Sequence, residues 1–123
     1  MIEIVGDDFK LLFVIVKKNL SRRVVKAVKK GGAEGGTVLL GRGTGKHNAG
    51  SIFGVKVEPE KAIILCLIPD EIVDKVISKV RAAARLDKPG TGVAFVVNSR
   101  SICGIAHLLN NQSTSNLPDH EQE

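Results

Sequence analysis

The sequence predicts an α+β sandwich of order β-α-β-β-α-β, and three observations carry that prediction. Lys10–Val16 and Ala62–Ile68 are apolar at nearly every position, the pattern of strands buried on both faces. Ile72, Val73, Val76, Ile77, Val80, Ala83 and Ala84 recur with the spacing of one helix face. Glycines at Gly31-Gly32, Gly35-Gly36, Gly41–Gly54 and Gly90–Gly92 punctuate the chain where elements should end.

Residues 1–9 read as a short leader to the first strand, Lys10–Val16. Asn19 and Ser21 are candidate caps for the first helix. Val24, Val25 and Val28 form its apolar stripe, and Gly31-Gly32 ends it. Gly35-Gly36 opens a second strand, Thr37–Leu40, and a glycine-rich loop spans residues 41–60. After the third strand, Ala62–Ile68, Pro69-Asp70-Glu71 starts the second helix with acidic residues that favour its dipole. Asp87–Gly92 breaks that helix, and Val93–Val97 is the fourth strand. Ser101–Leu109 is apolar but contains Gly104, so it reads as a fifth short strand or an irregular packed segment. Residues 110–123 are polar and acidic at the end, and a disordered tail is expected there.

This order is the split βαβ, ferredoxin-like arrangement, built from one domain over residues 10–109. Its helices cover one sheet face, yet the first and third strands are apolar on both. The simplest cover for the second face is another copy of the same sheet, so a closed homo-oligomer is expected.

The chain has 123 residues and a formal net charge of +5 at pH 7, which favours anionic partners without choosing among them. With four Phe and neither Trp nor Tyr, the core is aliphatic and no base-stacking platform is available, so no nucleic acid is expected. The first helix carries Arg22, Arg23, Lys26, Lys29 and Lys30, with Lys17 and Lys18 just before it. We read this as a solvated face ahead of a footprint for nucleic acid or anionic lipid, because nothing nearby would read bases. Cys66 and Cys103 stand alone in apolar surroundings and read as buried free thiols. No signal-peptide pattern or membrane-length apolar run is visible, so a soluble, cytoplasmic protein is expected.

The stretch Gly41–Gly54 organises the chain: it holds five glycines with Arg42, Lys46 and His47. Connections longer than roughly 12–15 residues are usually functional or disordered, so a mobile basic loop is expected here. A P-loop reading fails on spacing, since Leu40 stands where its first glycine belongs and His47 where Ser or Thr is needed. A dinucleotide fingerprint fails because no helix follows. His47, His107 and His120 share no ligand spacing, so no metal site is expected. No catalytic triad order or carboxylate pair stands at a glycine turn, so the protein is not expected to be an enzyme.

Four pieces in order resemble the P-II signal-transduction family: Gly36-Thr37-Val38, Gly43-Thr44-Gly45-Lys46, Ile68-Pro69-Asp70-Glu71-Ile72-Val73-Asp74, and Lys88-Pro89-Gly90-Thr91-Gly92-Val93-Ala94-Phe95-Val96. The resemblance spans roughly Lys10 to Ile105. It implies a ferredoxin-like trimer that acts in nitrogen regulation and binds an adenine nucleotide (ATP, ADP or AMP, with magnesium left open) between subunits. Carried over, Thr37 lies near the cleft floor and Gly43, Gly45 and Lys46 at the base of the T-loop, residues 41–60. Lys88, Gly90 and Gly92 belong to the B-loop, residues 86–92. Ser51, Ile52, Phe53 and Val55 would meet a regulated partner, such as a membrane transporter or a metabolic enzyme.

The chain also departs from the family. Val93, Gly104 and Ala106 stand where basic residues are usual, and each lost charge-assisted contact removes roughly 1.5–3 kcal/mol of phosphate binding. Arg42, Lys46, His47, Lys88 and Arg100 are the available substitutes. Phe53 replaces the tyrosine that some relatives modify, which excludes uridylylation there. The alternative is a trimer of the same fold that binds a metal or anion and whose nucleotide site has decayed.

Overall fold

The computed structural model describes residues 3–5, 8–43, 50–52, 55–57 and 59–104. Its elements are β1 (Glu3–Val5), β2 (Phe9–Lys17), α1 (Ser21–Lys30), β3 (Thr37–Arg42), β4 (Gly50–Ile52), β5 (Val55–Val57), β6 (Glu60–Pro69), α2 (Val73–Ala84), β7 (Gly92–Asn98) and β8 (Ser101–Cys103). Four of the strands make one antiparallel sheet in the order β3-β6-β2-β7, and the helices pack on one side of it. This is the expected ferredoxin-like α+β fold.

Alternation along paired strands sorts the side chains into two faces. Leu12, Val14 and Val16 of β2 and Ala62, Ile64, Cys66 and Ile68 of β6 are buried toward the helices. They pack with Val24, Ala27 and Val28 of α1 and Val76, Val80 and Ala84 of α2. The helices approach closely at Gly31, where a Cβ would lie 2.8 Å from Val76 Cα. A left-handed Gly32 (φ 112°) then turns the chain, and the Ala33 N–H donates to Val28 O at 3.0 Å.

The other face has no helix over it. Leu11, Phe13, Ile15, Ile63, Leu65 and Leu67 are half-buried there, with Phe13 and Phe95 stacked at 4.9 Å. At its margins Leu39 is 47% exposed, Val93 49%, Phe95 41% and Val97 38%, a contiguous apolar surface of the kind that marks an interaction site.

Of the two readings of the segment after residue 100, the short strand holds for Ser101–Cys103, which is β8. Four details differ from the sequence reading. Part of the leader is a strand, β1, which pairs with β8. The loop carries its own two-stranded ribbon, β4 with β5. Neither Asn19 nor Ser21 caps α1. A 3-10 turn, Lys18–Leu20, leads straight into the helix, and Leu20 at the N-cap has helical backbone (φ −95°, ψ −2°) instead of the extended form a capping side chain needs. Cys103 is exposed, because β8 lies outside the main sheet, whereas Cys66 is buried in the core.

Two outcomes follow from this packing. Gly31→Ala should improve helix propensity yet lower stability by roughly 1–3 kcal/mol in urea denaturation, because the added methyl collides with α2 backbone. Burial raises the Cys66 thiol from its ordinary 9.0 to about 11. Its contribution to stability is therefore intact below pH 9.0 and lost as pH rises through about 11, which thiolate absorbance in a Cys103→Ser background should follow.

Candidate functional site: two turns at one end of the sheet

Strand register places both glycine turns at the same end of the sheet. Gly41 of β3 pairs with Lys61, Lys61 with Lys17, and the neighbouring Val16 with Gly92 of β7. The turns stand on opposite edges, however, with β6 and β2 between them. Three strand spacings separate β3 from β7 by about 14 Å.

At the loop base, Gly43 N–H donates to Pro59 O at 3.3 Å and closes the two ends of the loop. Arg42 and Glu60 are directly paired residues of β3 and β6. Lys18 Nζ lies 2.9 Å from Glu60 Oε2, and this hydrogen bond and charge, with Arg42 adding a smaller pull, hold the Glu60 carboxyl below the usual carboxylate range. Lys18, Leu40, Gly41, Arg42 and Glu60 line a depression of about 210 Å³ here. Lys61 is the one buried charged side chain among the described residues, and a Cβ on Gly43 would sit 3.6 Å from its Cγ. The stem of Lys61 thus runs beneath the loop base.

The second turn is held in place by the end of α2. Arg85 takes the left-handed conformation (φ 52°) that Gly32 takes after α1, and Leu86 N–H donates to Arg81 O at 3.1 Å. Lys88 N–H donates to Arg85 O at 3.0 Å. The Thr91 hydroxyl shares its proton between Arg85 O at 2.9 Å and Lys88 O at 3.1 Å. Arg81 Nε donates to Asp87 Oδ1 at 2.9 Å. Gly90 has φ 80°, which glycine adopts without Cβ strain. Gly92 is glycine for a packing reason, since a Cβ there would meet Ile15 O at 2.5 Å.

Of the sequence-predicted residues, Thr37 is exposed at the start of β3, Gly43 closes the loop, and Lys88, Gly90 and Gly92 form the second turn. Ser51 and Ile52 lie in β4 and Val55 in β5. Gly45, Lys46, His47, Phe53, Ala106, His107 and His120 lie outside the described residues, as do residues 110–123. The structure thus sets Gly43 on one edge and Lys88, Gly90 and Gly92 on the other, and does not join them within one chain; Thr37, which pairs with Leu65, stands at the opposite end of β3 from Gly43.

Arg100 cannot support the second turn of its own chain. It follows Asn98, which pairs with Lys10 at the far end of the sheet. Val93 pairs with Ile15 and belongs to the open apolar face, which explains why an apolar residue follows Gly92. The sequence reading missed Lys61, Thr91 and Arg85. Alternation from Ile63 and Leu65 would have placed Lys61 on the open face, but no local pattern announces the left-handed Arg85 or the double contact of Thr91. Among the described residues no three His, Cys, Asp or Glu side chains gather to hold a metal, and no helix is long and apolar enough to cross a membrane.

Comparison with known proteins agrees with this architecture. The family model for nitrogen regulatory protein P-II matches residues 9–105. The crystal structure of Arabidopsis thaliana PII bound to citrate superposes with a TM-score of 0.64 at 23% identity, over 82% of this chain and 86% of that chain. At that identity the likeness concerns the fold. No curated protein sequence matches. Fold and turns together define a ferredoxin-like α+β domain with a long connection after its edge strand β3. The chain belongs to the P-II family and is a P-II-like regulatory protein, of a family whose roles are signalling and nitrogen regulation.

Two substitutions should act in opposite directions. Arg85→Gly relieves the left-handed strain and should raise stability by roughly 0.5–1 kcal/mol after the entropy of the new glycine is subtracted. Gly92→Ala forces β7 away from β2 and should lower stability by roughly 1–3 kcal/mol, both read by thermal melting.

Proposed function

We propose that the protein is a non-enzymatic regulator that assembles as a trimer, binds an adenine nucleotide between subunits, and signals through its T-loop. The observation that carries this reading is the placement of two glycine turns at one end of the sheet but on opposite edges. One chain presents each half of the site without bringing the halves together. A ring of head-to-tail copies sets the β3 edge of one subunit near the β7 edge of the next, and such heterologous contacts close into cyclic oligomers. The open apolar face argues for the same assembly, since closing the ring would remove Leu39, Val93, Phe95 and Val97 from water.

In this reading Thr37, Gly43, Gly45 and Lys46 belong to one side of the cleft and Lys88, Gly90 and Gly92 to the other. Glycine backbone N–H groups can approach phosphate oxygens, while lysine supplies a compact charge. The hydrogen bonds that fix the second turn reduce the ordering cost of binding. The citrate on the Arabidopsis relative supports a small anionic ligand for this fold. Occupancy would bias the loop between conformations and thereby its affinity for a transporter or metabolic enzyme, with Ser51, Ile52, Phe53 and Val55 as the contact segment. The reduced set of cations favours fewer phosphates over a triphosphate.

Calorimetric titration with ATP, ADP, AMP and cyclic AMP, each with and without magnesium, tests the ligand. One site per subunit is expected for at least one of them, weakened about tenfold or more by Lys46→Ala and by Lys88→Ala. No heat from all four would instead support the metal- or anion-binding alternative. Sedimentation tests the assembly: the wild type should run as a trimer, and Phe95→Asp, which places a charge on the open face, should run as a monomer.

A further inference from the structure

We propose that the outward stripe of α1 is a docking surface for anionic phospholipid bilayers. The chain's 18 Lys and Arg exceed its 13 Asp and Glu by five, and α1 alone holds five of those cations with no acid. The remaining 13 cations are matched in number by the 13 acids, so the ten residues of α1 carry a charge equal to that of the whole chain.

The fold decides where that charge points. Val24, Ala27 and Val28 are buried against the sheet and α2, which locks the rotation of α1. At 3.6 residues per turn, Arg22, Arg23, Lys26, Lys29 and Lys30 then fall within roughly 120° of arc on the opposite side, along about 12 Å of helix. All five are exposed, and none is ion-paired with another described residue. Exposed Lys75 and Lys79 on neighbouring α2 add to the same layer. Among the described acids of the helix layer, Glu34 follows α1, Asp70, Glu71 and Asp74 start α2 and Asp87 follows it; Asp70 Oδ1 lies 3.8 Å from Lys10 Nζ, and Asp87 Oδ1 accepts from Arg81 Nε at 2.9 Å.

The chemistry of the stripe favours lipid over nucleic acid. It offers no aromatic ring for bases to stack on and no amide or hydroxyl to read them. It is a convex helix side and not a groove that could track a phosphate backbone. Lipid headgroups diffuse laterally, so one can settle beneath each of five closely spaced cations, whereas duplex phosphates keep fixed positions. The apolar face of α1 is already committed to the core, so contact is adsorption without insertion. Such binding is electrostatic, grows with each cation near the surface and falls with salt.

Co-sedimentation of the full chain with vesicles tests the proposal. Vesicles of equal parts phosphatidylcholine and phosphatidylserine should bind it at low salt and release it at high salt, and vesicles of phosphatidylcholine alone should not bind it. Replacing all five stripe cations by Gln should weaken binding more than about a hundredfold, since each is worth roughly fivefold. The milder Lys26→Gln/Lys30→Gln variant should lose roughly twentyfold, with an unchanged circular dichroism spectrum and melting temperature. Lys75→Gln/Lys79→Gln, off the stripe, should lose only a fewfold. Absence of binding to the acidic vesicles at low salt overturns the proposal, and so does wild-type binding by the five-Gln protein. Stripe-dependent binding to mixed-sequence duplex DNA that is tighter than binding to vesicles overturns it as well, in favour of a nucleic-acid footprint.

Discussion

The rest of the molecule depends on the pairing of β2 with β6, nine residues in unbroken antiparallel register from Phe9–Pro69 to Lys17–Lys61. Both strands lie inside the sheet, so their side chains divide between two faces with no edge to relax into. A slip of one residue would exchange the helix-covered set, led by Leu12, Val14 and Ile64, with the open set, led by Phe13, Ile15 and Leu65. The same register sets Lys61 under the loop base and brings Gly92 against Val16. The site is thus positioned by the central pair, although Lys61 is the one member of that pair at the loop base and the glycine-turn residues lie outside it.

Close backbone approach is the second recurring device. Gly31 meets α2, Gly36 lies where a Cβ would come 2.7 Å from Cys66 Sγ, and Gly92 lies over the backbone of β2. These glycines draw the layers together and have no need of a ligand to explain them. That changes how the second turn is understood. Gly92 answers to packing, Gly90 to a positive φ, and the polar work of holding the turn falls to Thr91, Arg85, Arg81 and Asp87. A turn fixed in this way offers its N–H groups to an anion without first having to order itself.

The surface is segregated by chemistry. The open sheet face is aliphatic with one aromatic stack, the helix layer is basic, and the loop base carries a compact set of Lys18, Arg42, Glu60 and Lys61. In the reading we favour, the first faces other copies, the second an acidic surface and the third a small anion. Each sits on a different part of the fold, so the three can be occupied together.

Much of this was legible in the chain itself. Continuous apolar runs named the inner strands, because a strand buried on two faces has no polar position to spare. The helical spacing of Ile72 to Ala84 and the glycine breaks supplied the element order, and that order left one sheet face without a helix. The motifs at Thr37, Gly43-Thr44-Gly45-Lys46 and Lys88–Gly92 were enough to suggest the family. Tertiary structure alone decided the rest, because it depends on residues far apart in sequence. Register put the two turns on opposite edges and Arg100 at the wrong end of the sheet. Helix packing turned scattered Lys and Arg residues into one outward stripe. The end of α2 made Arg85 adopt a glycine-like conformation, and the position of β8 beyond the main sheet left Cys103 exposed while Cys66 was buried. Periodicity reports which residues share a face of one element; which elements then face each other is settled only when the chain closes on itself.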